Sequence, residues 1–279
     1  MNPEFVLMVI YGGGSFALAA VVGSFLNVCI LRLPHDRSLL PASACPKCNT
    51  RLGALELIPI LGWLLLRGKC KHCGSPISQV YPLIELLTGL LGYLLFRRFV
   101  TDVSDLTYTT ALGWALYFFF FSCLIVMAFV DIRHHIIPDQ TSSYALPVGF
   151  IGVLALNGLG LSQWPVPSVS QALWGIALGG GSLALLALVM GFVLKREAIG
   201  WGDVKALAML GCFLGAIPGI WSILFIASTL SAVFGLFHLL LFKRRDYLPF
   251  APSLAFSAIA HVLYGDFYLP LFFPTMMSL

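Results

Sequence analysis

Long apolar stretches alternate with short polar ones along this chain. Phe5 to Leu31 carries no formal charge over 27 residues, enough to cross about 30 Å of hydrocarbon with some tilt. Residues 32–79 break the pattern: they are polar, proline-rich and basic. Apolar character returns from Val80 to Phe96, interrupted by Pro82 and Glu85, and again from Thr107 to Val130, with an aromatic run at Tyr117 to Phe121. Five more stretches follow: Ser143 to Leu161, Val169 to Leu194 (with Gly179, Gly180 and Gly181 inside), Val204 to Ile217, Ile220 to Phe242, and Pro249 to Tyr268. Pro218-Gly219 is a breaker pair and favours two helices over one at the sixth and seventh stretches. The sixth is short and carries Lys205, so it is expected to start in a polar cleft. The pattern predicts an all-α polytopic membrane protein with eight transmembrane helices. It divides as a first helix (1–31), a small cysteine-rich, zinc-ribbon-like insertion (32–79), and a membrane domain of seven further helices (80–279).

Composition agrees with that reading. Of 279 residues, 59% are hydrophobic and 10% charged, and the mean hydropathy is +0.94. Soluble domains carry about 25% charged residues, so a soluble globular class is excluded. The net charge of +4 matters less than its placement. Eight crossings collect residues 32–79, 131–142, 195–202 and 243–248 on one side. With Lys205 at that boundary, this side holds 14 of the 16 Lys and Arg residues; Arg97 and Arg98 lie opposite. Positive charge gathers on the cytoplasmic side. Both termini are therefore expected outside, and Asp131 and Asp203 at the same cytoplasmic face. Joining the sixth and seventh stretches would put Lys243-Arg244-Arg245 outside, so the charge count supports the split. Met1 to Glu4 lacks a basic region, and the first apolar run is too long for a cleaved leader, so the first helix is expected to be retained.

Two carboxylates stand at the boundaries of apolar stretches. Asp131 ends the third, and Asp203, in Gly200-Trp-Gly-Asp-Val-Lys205, opens the sixth. An ionised Asp at the centre of a membrane helix costs about 2.5–3.5 kcal/mol on insertion scales. Near a helix end it costs less, so one such residue says little, and two at matched boundaries say more. Brought together, two carboxylates share a proton, one serving as base and the other as acid. That is the chemistry of an aspartyl protease, here within a membrane. Plainer roles exist: an interfacial helix end for Asp131 and a helix N-cap for Asp203. Asp139 is a rival for the pair, but Pro138 before it suggests a cap for the fourth helix. His134 and His135 fit a headgroup boundary better than a ligand set. Glu85 lies inside a span and is a functional candidate, with a hydrogen bond to a neighbouring helix as the alternative.

Cys45-Pro-Lys-Cys48 and Cys70-Lys-His-Cys73 form two Cys-x-x-Cys pairs, 21 residues apart. The usual four-cysteine zinc spacing is about 15–20. Two such knuckles complete a tetrahedral thiolate site, closed and therefore structural. A cytoplasmic loop keeps its thiols reduced, which favours zinc over disulfides or redox dithiols. Cys29, Cys123 and Cys212 lie in apolar stretches and read as small packed hydrophobes.

Gly23-Ser-Phe-Leu-Asn27 with Arg32-Leu-Pro34, Leu66-Arg-Gly-Lys-Cys70, Tyr81-Pro-Leu-Ile-Glu85-Leu-Leu-Thr-Gly89, Asp131-Ile-Arg-His-His-Ile-Ile-Pro-Asp139 and Gly200-Trp-Gly-Asp203-Val-Lys205 occur in that order. This series resembles the bacterial type IV prepilin peptidases, the leader peptidase/N-methyltransferases. The resemblance runs from about Gly23 to Pro252. It implies a catalytic pair at Asp131 and Asp203, and metal ligands at Cys45, Cys48, Cys70 and Cys73. It further implies cleavage of the short basic leader of type IV prepilins and pseudopilins at the cytoplasmic face of the bacterial inner membrane. Methylation of the new amino terminus with S-adenosylmethionine would follow. No glycine-rich dinucleotide fingerprint marks a site for that donor. The polar loop of residues 32–79, with the adjoining helix ends, is the expected place for it. Two positions depart from the family pattern. Glu56-Leu-Ile-Pro59 stands where Asn-Ile-Pro is common before the second cysteine pair. Ala251 replaces glycine in Pro249-Phe-Ala-Pro252, which bears on how the last helix approaches the site. Neither departure is expected to touch the aspartates.

Two other classes compete. A proton-coupled transporter would use intramembrane Asp and Glu as relays, but no inverted repeat is visible. A presenilin-type protease shares Gly-x-Gly-Asp, but the cysteine module and Gly23 to Asn27 favour the prepilin enzymes.

Overall fold

The computed structural model describes residues 3–195, 200–242 and 249–272. The 243–248 loop counted on the cytoplasmic side, and residues 196–199 ahead of Trp201, lie outside the described residues. Within them the chain is helical and has no β-strand, only two isolated bridges. Ten α-helices form: α1 (Pro3–Arg32), α2 (Leu61–Leu65), α3 (Val80–Phe99), α4 (Tyr108–His134), α5 (Ala145–Gly158), α6 (Val169–Ile176), α7 (Ser182–Leu194), α8 (Trp201–Leu214), α9 (Trp221–Phe242) and α10 (Ala251–Phe272). Each of the eight apolar stretches yields helix. A π turn, Ala177–Gly181, joins α6 to α7.

Five segments are long and apolar enough to cross a membrane: Pro3–His35, Val80–Phe99, Tyr108–His134, Val169–Leu194 and Ala216–Leu241. The protein is thus a multi-pass membrane protein. The helices of the other three apolar stretches fall short for identifiable reasons. α5 and α8 have 14 residues each, a rise of about 21 Å at 1.5 Å per residue. α10 has 22 residues but includes His261 and Asp266. The break expected at Pro218-Gly219 is present. Gly215 takes φ 76°, Ile217 leaves helical geometry at φ −125° and ψ 128°, and α9 starts afresh at Trp221.

The chain divides into two compact units, residues 1–114 and 115–279. In the first, α1 lies along α3 at close range. A Cβ on Gly23 would stand 2.9 Å from the Cα of Glu85, so the small residue sets the approach. Asn27 then donates from Nδ2 to the Tyr81 carbonyl at 3.1 Å. Two of the sequence motifs therefore meet here, one across from the other.

In the second unit α8 is the central element; its residues from Met209 to Leu214 are all buried. It packs on α6 through glycine: a Cβ on Gly175 would lie 2.0 Å from the Gly211 carbonyl oxygen, and the reverse holds for Gly211. Small residues at helix crossings of this kind give membrane helices their van der Waals contact, since lipid supplies no hydrophobic drive between them. Tyr117 ties α4 to α8. Its hydroxyl, fully buried, donates toward the carbonyls of Pro165 at 2.7 Å and Phe213 at 2.8 Å. Phe120 stacks on Phe213 with centroids 4.3 Å apart.

Candidate active site and thiol cluster

Asp131 sits in the last turn of α4 and is 6% exposed. Asp203 sits in the first turn of α8, half-buried. The two carboxylates are close enough for the charge of one to act on the other. Their helices are held together by Tyr117 and Phe213, so the pairing does not rest on a flexible loop.

The residue at the start of α10 enters this site directly. The backbone N–H of Ala251 donates to Asp131 Oδ2 at 2.9 Å, in a buried position. This corrects the expectation that the Pro249–Pro252 departure leaves the aspartates untouched. The contact is made by the main chain, which no side-chain pattern encodes. The exchange of glycine for alanine keeps that N–H.

Asp139 does not cap the fourth helix as expected: α5 starts after Tyr144 with no side-chain cap bond, and the Asp139 carboxylate bonds side chains instead. Oδ1 accepts from Lys205 Nζ at 2.8 Å and from Ser143 Oγ at 3.3 Å. The Lys205 ammonium holds the Asp139 carboxyl below its ordinary range. This ion pair links the loop after α4 to α8 two residues beyond Asp203. His134 and His135 are exposed, as expected; His135 closes α4 in a left-handed conformation, its N–H donating to the Asp131 carbonyl. Glu85 is buried, and Oε2 accepts the backbone N–H of Ile60 at 2.7 Å. Its partner is thus the cysteine loop. The sequence reading passed over His261, which is fully buried on α10 and bonds Ser222 Oγ at 3.0 Å and Tyr268 Oη at 2.9 Å. A lone histidine in an apolar stretch has no spacing signature to reveal such a cluster.

In the first unit the two Cys-x-x-Cys pairs fold alike. Cys45 N–H bonds the Thr50 carbonyl, and Cys70 N–H bonds that of Ser75. The fifth residue of each turn, Asn49 or Gly74, takes positive φ. Glycine and asparagine are the residues that adopt it at least cost. The four Sγ atoms lie within 4.8 Å of one another, with Cys45 and Cys73 at 3.8 Å, and all four thiols are free. Backbone N–H groups of Cys48 and Lys47 push the Cys45 thiol down to about 6, and the Ser75 hydroxyl lowers that of Cys73. Thiolate is the form that binds metal, so this cluster could hold a metal ion. Cys29, Cys123 and Cys212 are free and buried.

The fold and these two sites define a polytopic membrane protein with a buried carboxylate closing α4, a half-buried one opening α8, and a four-thiol cluster. Comparison with known proteins carries this further. Residues 17–99 match the Bacterial Peptidase A24 N-terminal domain, and residues 118–240 match the Type IV leader peptidase family. The chain is 33% identical to a "Prepilin leader peptidase/N-methyltransferase" of Stutzerimonas stutzeri, with 90% of each chain covered. A protein of the same name from Myxococcus xanthus is 41% identical; the match covers 81% of this chain and 62% of that one. In Bacillus subtilis the identity is 32%, over 90% of this chain and 93% of the relative. No solved structure matches the chain. The chain belongs to the type IV leader peptidase family, and the transporter and presenilin-type alternatives are not favoured.

Proposed function

We propose that this protein removes the basic leader of type IV prepilins and pseudopilins and then N-methylates the exposed amino terminus. What supports the proposal is the placement of Asp131 at the end of α4 and Asp203 at the start of α8, on helices tied by the Tyr117 bond to the Phe213 carbonyl, with the Ala251 N–H on one carboxylate. In this reading a water between the carboxylates gives a proton to the ionised member and attacks the scissile carbonyl. The protonated member hydrogen-bonds the carbonyl oxygen and later protonates the leaving amine. The shared proton belongs to the pair, not to either residue. No covalent intermediate on the enzyme is needed.

The cluster of Cys45, Cys48, Cys70 and Cys73 suits Zn2+, which takes four thiolates tetrahedrally and would act structurally in so closed a shell. S-adenosylmethionine would supply the methyl group. The amine must be neutral to accept it. A free α-amino group titrates at about 7.7–8.0, so modest burial suffices and the aspartates are not required. The charge distribution supports eight crossings of the bacterial inner membrane, external termini, and cleavage at the cytoplasmic surface.

The test is mass spectrometry of a prepilin co-expressed with the protein, reading leader loss and the mass of one added methylene separately. Wild-type protein should produce both. Asp131→Asn and Asp203→Asn should each abolish leader loss, with the double variant no worse, because residues that act as a unit are not additive. Appreciable cleavage by either folded single variant would refute the assignment.

A further inference from the structure

Inside the first unit, α1, the cysteine loop and the start of α3 enclose a cavity of about 370 Å³. Small-molecule pockets measure about 300–1,000 Å³. The walls are largely apolar, but two carboxylates line the cavity, Glu56 from the loop and Glu85 from α3, beside Asn27, Trp63 and Tyr81. The knuckle residues Cys45 and Cys70 line it too.

Glu56 is the telling residue. Its side chain is only 10% exposed. Oε2 accepts the Gly53 N–H at 2.7 Å and lies 3.8 Å from His72 Nε2. Oε1 is buried and has no hydrogen-bond partner among the described residues. A buried carboxylate oxygen without a donor is costly, and a cation in the cavity would offset that cost. The one basic side chain lining it, Arg32, already spends Nη1 on the carbonyls of Ser38, Leu39 and Pro41. Trp63 is fixed in orientation by its Nε1–H bond to the Ile77 carbonyl at 3.1 Å, and aromatic rings attract organic cations. The cavity therefore suits a small organic cation with an apolar body.

We propose that this cavity binds S-adenosylmethionine, with Glu56 and Glu85 supplying negative charge for its sulfonium and ammonium groups. The proposal rests on the methyltransferase reading above. In the transfer, the neutral amine attacks the methyl carbon, the N–C bond forms as the C–S bond breaks, and the electron pair stays on sulfur as a neutral thioether. The resulting ammonium sheds its proton to solvent.

The test measures binding as well as turnover. Purified full-length protein in micelles should bind S-adenosylmethionine saturably by calorimetry. Glu56→Gln should weaken that binding roughly 10- to 100-fold, the range for losing a hydrogen bond to a charged group, with metal content retained as evidence of a folded loop. Unchanged affinity in the metal-replete variant overturns the proposal, while methylation by the wild type would leave the broader reading standing. A wild type that neither binds the donor nor methylates sinks both. Independently of any variant, ultraviolet cross-linking of methyl-labelled donor to wild-type protein should place label on peptides between Ser24 and Glu85. Label confined to residues 115–279 refutes the cavity. A leaderless pilin peptide should bind alongside the donor, since transfer needs both at once. If the peptide displaces the donor, the cavity holds the substrate amine and the assignment is wrong.

Discussion

Gly175→Ala puts a methyl group into the crossing of α6 and α8. The added Cβ would stand 2.0 Å from the Gly211 carbonyl oxygen. A carbon approaches such an oxygen to about 3.3 Å at closest. Backbone cannot swing aside as a side chain does, so α6 and α8 must part by about 1.3 Å, the difference between that limit and the built distance. Overpacking of this kind costs about 1–3 kcal/mol. With Asp203 catalytic, as proposed above, the functional cost is larger, because α8 carries it: a misplacement of about 1 Å can reduce a rate about 10²-fold. The control lies on the same strip of sequence. A Cβ on Gly181 meets nothing within 4 Å, so Gly181→Ala should leave rate and stability near wild type. The assay is the initial rate of leader removal from a purified prepilin in detergent, with thermal unfolding measured in parallel. Wild-type rate and unfolding temperature in Gly175→Ala, or equal losses in both variants, would refute the reasoning.

Other outcomes follow from the same geometry. Metal analysis of purified protein should give about one zinc per chain for a single four-ligand site, and Cys45→Ser should lower it and loosen residues 32–79; metal-free protein with four free thiols and a folded loop would favour a redox role. The Asp139–Lys205 pair is exposed on both sides, so Lys205→Ala should cost less than about 1 kcal/mol of stability. Because the folded-state Asp139 carboxyl lies below its ordinary value, its small contribution is present above about pH 3.9 and fades as pH falls through the folded value; acid titration of Lys205→Ala should therefore converge on wild type. Finally, Asp203→Asn given a substrate already lacking its leader should still transfer label from S-adenosylmethionine to the amino terminus; failure with an intact cysteine loop would mean the two activities share one site.

Much of this was legible in the chain because membrane helices and thiolate knuckles write themselves locally. A run such as Phe5 to Leu31 can only be a helix in lipid, where every backbone polar group must be satisfied within the segment. The two Cys-x-x-Cys pairs announce their turns through spacing alone. Asp131 and Asp203 stood out because a carboxylate beside apolar sequence is costly without a purpose. What escaped were contacts made by main chain or set by tertiary packing. The Ala251 N–H on Asp131 has no residue-type signature. The Lys205–Asp139 pair joins positions 66 residues apart. Glu85 was visible as an intramembrane acid, yet its partner, the Ile60 N–H, depends on how the cysteine loop returns to α3. Helix bounds were the other gap: α5 is shorter than its apolar stretch and stops at Gly158, while α8 starts three residues before its stretch, at Trp201, and is ended by Gly215 and Ile217.

The brevity of α8 has a consequence for the surroundings of the enzyme. At about 21 Å the helix falls some 9 Å short of a 30 Å hydrocarbon layer, and its buried length, Met209 to Leu214, is surrounded by protein, not lipid. Backbone that is not helical at membrane depth is tolerated only where protein buries it or water fills the space. A short central helix therefore leaves room for water at its ends, framed by the neighbouring helices, without the bilayer having to thin.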